Sequence, residues 1–338
     1  MPQQQVFADY VTRTRREFLN TTASGLGMAA LGSMLTRDGL MPAASAADGG
    51  NPLAPTQPHF DAKAKACIFI FMAGAPSHID LFDEKPVLRE RHGQPLPESM
   101  LEKVRFAFID KKNALLQGSP YRFHQHGECG MPLGELLPHL GSVADDLLLI
   151  RSLHTEQFNH HPGQLMMQCG RGTFGLPTMG SWLNYGLGSE SQNLPGYVVL
   201  NSGRGSSGGA TLWQSGFLPS TYAGVLFRNQ GEPVLNLTSP AGIPSQLQRQ
   251  GLDVLRAANQ QRFAEVQDPE IAARIASYEL AYRMQTAAPE LIDLASESKS
   301  TIDAYGLDRP EEEGIKARGK QGNTYQSFAR NCLLARRM

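Results

Sequence analysis

The chain is 338 residues long with a formal net charge of -1, and 19% of its residues are charged. That length buries a full core, as one large domain or two modest ones. The balanced charge argues against a nucleic-acid binder, which would carry a basic face. Four cysteines without a CxxC spacing argue against a zinc knuckle or redox pair.

At the N-terminus, Thr14-Arg15-Arg16-Glu17-Phe18-Leu19 precedes TTASGLGMAALGSML, a short and mildly apolar run. Ala44-Ser45-Ala46 then supplies small residues suited to a signal peptidase. Together these features read as a twin-arginine signal peptide over residues 1–46, with Arg15, Arg16, Phe18 and Leu19 at its heart. The run is about five residues short of a comfortable membrane span. No later segment is apolar for long enough, so no stable span is expected. The mature protein is expected to start near Ala47 and to reside in the periplasm or at the cell surface, delivered by the twin-arginine export machinery. Such cargo travels folded, often with a cofactor loaded, which mildly favours a metal site. In an exported chain, Cys67, Cys129, Cys169 and Cys332 are also candidates for one or two disulfides.

Residues 47–62 lack periodicity and read as a flexible lead-in to one domain over 63–338. AKACIFIFMAG holds an unbroken apolar run at 67–72, the pattern of a strand buried on both faces. Leu133, Leu136, Leu137, Leu140 and Val143 recur at helical intervals, with Pro138 expected to bend that helix. Residues 147–150 (LLLI) predict a second buried strand, and GYVVLN at 196–201 a third, after a helix that Thr178 would cap. PVLNL at 233–237 is a weaker fourth candidate. Residues 244–306 form a helical segment, in which Asp268-Pro269-Glu270 reads as cap, first-turn proline and acidic first turn. A short helix from Ser300 to Tyr305 closes on Gly306, and TYQSFARNCLLARRM begins another. Alternating strands and helices predict an α/β sandwich around a mostly parallel sheet.

In such sheets ligands bind at the carboxyl ends of the strands. The first predicted strand ends in AGAPSHIDLFD, which offers Ser77, His78, Asp80 and Asp83. The second ends in RSLHTEQFNHH, where His154, His160 and His161 crowd together, and the third in Asn201-Ser202-Gly203-Arg204. His78 and Asp80, two apart, suit a divalent metal with oxygen and imidazole ligands, unless Asp80 merely bonds backbone amides. Pro162 after His161 suits the first position of a helix running through GQLMMQC. Its open amides would make an anion site at His161 and Gly163, with Asn201 joining from the third strand. Adjacent histidines diverge, so one of His160 and His161 is expected to face the cleft and the other to pack. His160 is the candidate metal ligand or acid–base group, against the plainer reading of a loop histidine. His124 and His126 are expected in a solvated polar loop.

The leader, FMAGAPSHIDLFDEKP, RSLHTEQFNHHPGQLMMQCGR, PTMGSWLNYGLGSESQNLPGYVVL, SGFLPSTYAGVLF and SFARNCLLARR resemble the bacterial family called domain of unknown function 1501. The resemblance covers nearly everything after residue 60. It implies an alkaline-phosphatase-like three-layer sandwich, the fold also of sulfatases, with metal ligands at strand ends. Aligned with the C-x-P-S-R element of sulfatases, HHPGQLMMQCGR puts His160 where their nucleophile stands. It also implies further ligands in a GWDHH-like segment after SFARNCLLARR, so the domain is expected to be truncated at its C-terminus. Two functions follow as expectations. One is metal-dependent hydrolysis of sulfate or phosphate esters, with His160 catalytic and His78, Asp80 and His160 on the metal. The other is a non-catalytic protein that binds anions or sulfated polysaccharide.

Overall fold

The computed structural model describes residues 51–72, 76–103, 110, 113–202, 206–228, 234, 237–239, 242–310 and 324–338. The export signal with Arg15, Arg16, Phe18 and Leu19 lies outside the described residues, as does most of the strand expected at 233–237. Within the lead-in, Pro52, Leu53 and Thr56 bond to later segments. The Ser189 amide donates to the Leu53 carbonyl and the Thr56 amide to that of Leu187, both at 2.9 Å. The Tyr222 hydroxyl donates to the Pro52 carbonyl at 3.1 Å. Gly188 permits this approach: its φ is +70°, and a Cβ there would run into the Ala54 carbonyl.

Residues 67–72, expected as a buried strand, form no ladder among the described residues. Ile68, Ile70 and Met72 are more than half exposed. Helices α1 (His78–Leu81), α2 (Pro86–Glu90) and α3 (Glu98–Lys103) follow. The chain then folds back as a hairpin of β1 (Phe123–His126) and β2 (Met131–Gly134), antiparallel with Phe123 opposite Gly134 and His126 opposite Met131. His124 and His126 therefore lie on a strand and not in a polar loop. Gly127 and Gly130 turn the chain with φ of +68° and +64°. The Asp145 carboxylate accepts the Glu128 and Cys129 amides at 2.9 and 2.8 Å.

The helix expected over 133–143 is split. Leu133 is fully buried on β2, and Pro138, which has no N–H to lose, opens the one-turn helix α4 (Pro138–Gly141) instead of bending a longer one. Residues 147–150 form no ladder among the described residues, and Leu148 is 86% exposed.

Helices α5 (His160–Cys169) and α6 (Met179–Leu187) precede β3 (Val198–Leu200), which pairs in parallel with β4 (Val225–Phe227). The long helices α7 (Ser245–Val266) and α8 (Pro269–Ile292) come next, then α9 (Lys299–Tyr305) and α10 (Thr324–Arg337). Their ends follow local chemistry. Asp268 accepts the Glu270 amide at 3.1 Å, and Ser298 accepts that of Thr301 at 3.1 Å. Gly306, φ +71°, closes α9. Arg249 on α7 grips Glu279 on α8 through two bonds of 2.7 and 2.9 Å, and lies 5.0 Å over the Tyr282 ring.

The core sits where the parallel pair meets α8. Phe227, Leu237, Met284 and Ala288 are buried together, with Val198, Leu200 and Val225 packed against them. Leu200 also touches a second cluster of Leu294, Leu333 and Leu334, which docks α10. Each fully buried leucine there contributes roughly 1.5–3 kcal/mol. The described residues thus form a mixed α/β fold with small two-stranded sheets. No helix among them is long and apolar enough to cross a membrane. All four cysteines are free thiols in this structure.

Candidate functional site

The predicted site residues fall into three neighbourhoods. The first is α1 and the segment after it. His78 is exposed and Asp80 half-buried. On a strand, residues two apart share a face; on a helix they stand about 200° apart. As arranged here, His78 and Asp80 therefore do not fit one divalent ion. The carboxylate that gathers charge is Asp83, paired with Lys85 at 2.6 Å and with Arg151 at 3.8 Å. The Lys85 hydrogen bond holds its carboxyl below the usual range, and the charges of Lys85, Arg151 and His78 add to that effect.

The second neighbourhood is the start of α5. Helix begins at His160, with Asn159 at the cap in an extended conformation and its side chain making no capping bond. His161 lies inside the first turn, not in the extended conformation expected before a proline. Pro162 is tolerated there because no N–H is needed so early in a helix. Gly163, expected to offer its amide to an anion, donates it to the Asn159 carbonyl at 3.0 Å. Within the helix, only the His160 and His161 amides come before that first bond.

The two imidazoles diverge. His160 is exposed, whereas His161 packs edge-on to Phe174 at 5.0 Å. His161 Nε2 meets Thr211 Oγ1 at 3.0 Å. Thr211 spends its single proton on the Gly208 carbonyl at 2.6 Å, so Nε2 is the donor to the threonine and carries the proton. One helical turn on, the Gln164 side-chain oxygen accepts the Ser207 hydroxyl and the Gly208 amide at 3.1 and 3.0 Å. Gln164, only 7% exposed, thereby ties the Gly/Ser-rich segment to the helix.

The third neighbourhood is the end of β3. The Asn201 carbonyl and the Ser202 hydroxyl accept from Asn331 Nδ2 on α10 at 3.0 and 2.9 Å. Asn331 is 6% exposed, and its own Oδ1 is buried with no partner among the described residues. Among the described residues, no group of three or more His, Cys, Asp or Glu stands together as a metal site.

Sequence reasoning passed over Gln164, Thr211 and Asn331. A polar residue at a core position of an amphipathic helix was the available signal for the first and last, since such a group must find a partner.

These features define a mixed α/β protein with an open helix start beside a hydrogen-bonded Gly/Ser segment. The chain belongs to the family described as protein of unknown function (DUF1501), matched over residues 64–338. No curated protein and no solved structure matches it.

Proposed function

We propose that this protein is an exported binder of sulfate or phosphate esters, carried on sulfated polysaccharide or on phosphorylated small molecules. The mouth of α5 is its anion site. One observation carries the reading: the His160 and His161 amides precede the first helical bond, beneath an exposed imidazole. A helix start attracts negative charge because its N–H groups and dipole point outward. The Gln164 and Thr211 bonds hold the flanking segment still, which favours binding by preorganisation.

The finer architecture belongs to the same reading. An alkaline-phosphatase-like three-layer sandwich is supported by the parallel pairing of β3 with β4. Export by the twin-arginine route, to the periplasm or cell surface, rests on the Arg15-Arg16 leader. Lysine at both arginines should strand a tagged protein in the cytoplasm, as read by fractionation.

Hydrolysis of the same esters is the second reading, favoured by His160, whose imidazole stands exposed at the helix mouth. A divalent metal would accompany it by resemblance to sulfatases. Titration calorimetry with inorganic sulfate, inorganic phosphate and a sulfated galactan separates these readings when run beside p-nitrophenyl sulfate and phosphate turnover. Saturable binding without turnover, weakened in His160→Ala, supports the binder. Turnover that depends on bound metal and is lost in His160→Ala supports the hydrolase. Absence of both would remove the anion site.

A further inference from the structure

A second site stands apart from the polar neighbourhoods above. Pro195–Tyr197, Ser220–Val225 and the helices α7 and α8 line an open cleft of about 360 Å³, within the roughly 300–1,000 Å³ typical of ligand pockets. No Asp, Glu, Lys, Arg or His lines it among the described residues. The charges behind its lining are engaged: the Glu270 carboxylate accepts the Ser220 amide and hydroxyl at 2.9 and 2.8 Å, and Arg249 is paired with Glu279. A charged ligand buried here would meet no counter-charge.

The polar groups that do line it are neutral. Asn184 is only 5% exposed and brings its side-chain amide to the lining. It is confined against Gly196, where a Cβ would sit 2.6 Å from its Oδ1. Gln285 and Tyr278 also line the cavity. The Tyr197 and Tyr282 rings supply apolar surface beside them. Burial raises the Tyr197 phenol above its usual pKa, which keeps that group neutral as well.

We propose that this cavity binds an uncharged, hydroxyl-bearing ring, a single sugar residue of a neutral glycan. Two amides offer donors and acceptors together, and hydroxyl groups answer both at once. Aromatic rings accept the apolar C–H face that a sugar ring presents between its hydroxyls. The inference does not depend on anion binding at α5.

The test is saturation-transfer NMR and calorimetry on the full chain with glucose, galactose, mannose, N-acetylglucosamine and their β-linked disaccharides. Saturable binding of at least one sugar is expected. Gln285→Leu should weaken it roughly tenfold, as loss of a buried hydrogen bond would. Ala281→Trp, which fills the cavity from an exposed helix position, should abolish it at an unchanged melting temperature. The proposal is overturned if no sugar saturates the folded wild-type protein, or if binding survives both substitutions unaltered. Inorganic sulfate as a competitor keeps this result separate from the α5 site, since it should not displace the sugar.

Discussion

The apolar run at 147–150 offers the sharpest test of the architecture, because two arrangements assign it opposite energetics. Leu148 is 86% exposed, whereas Phe227 on β4 is 1% exposed and packs against Leu237, Met284 and Ala288. Truncating an exposed leucine removes little that folding had buried, and typically changes stability by no more than about 0.5 kcal/mol. Phe227→Ala deletes a ring from a closed core and should cost about 3–5 kcal/mol, transfer and cavity terms together. For a chain of this size that corresponds to a fall in melting temperature of roughly 5–15 °C, against about 2 °C or less for Leu148→Ala. Differential scanning calorimetry of the two variants beside wild type reads the contrast directly. Had 147–150 been a central strand covered on both faces, Leu148→Ala would cost about 2–5 kcal/mol as well. A melting drop for Leu148→Ala comparable to that of Phe227→Ala would refute the exposure of this run and put it inside a larger sheet.

Three further outcomes are expected. Asp268→Ala removes the carboxylate that caps α8 and should cost about 0.5–2 kcal/mol in urea denaturation, while Asp268→Ser should recover most of it. Gly188→Ala combines a left-handed φ with a Cβ driven into the Ala54 carbonyl, so it should lose about 1–3 kcal/mol. Protection of the Ser189 amide in hydrogen exchange should fall with it, since that amide is bonded to Leu53. The Arg249 hydrogen bond holds the Glu279 carboxyl below its ordinary value. Its contribution is therefore complete above about pH 4.3 and lost as pH falls through the lowered folded-state value. Glu279→Gln should flatten the acid limb of a stability-against-pH curve, and an unchanged limb would show that the pair contributes nothing there.

Helix ends in this chain are legible because their chemistry is local. Asp268-Pro269-Glu270 places a cap, a residue without an N–H and an acid within one turn, and α8 begins there. Gly306 closes α9 for an equally local reason, its freedom to adopt positive φ. Strands fare differently. Residues 67–72 and 196–201 carry the same apolar signature, yet among the described residues only the latter finds a ladder, at 198–200. A strand exists by virtue of its partner, and β4 lies beyond a long connection that no short window reveals. The β1–β2 hairpin was hidden for another reason. GECG is not one of the tight two-residue turns, and it works because Asp145, from outside the hairpin, takes up two loop amides.

The same division separates the site residues that could be read from those that could not. The His160-His161-Pro162 start of α5 declares itself through the proline and the divergence of neighbouring side chains. What fixes His161 is Thr211, 50 positions later. What anchors the end of β3 is Asn331, 130 positions after Asn201. Asn331 lies within SFARNCLLARR, between the buried Ala329 and the leucines Leu333 and Leu334. An apolar side chain there would pack as well and would strand no Oδ1, but it would leave the Asn201 carbonyl and the Ser202 hydroxyl without their donor. The amide therefore earns its place through what it does for the strand end. That makes α10 a support of the β3 end, and not merely a helix laid over the core.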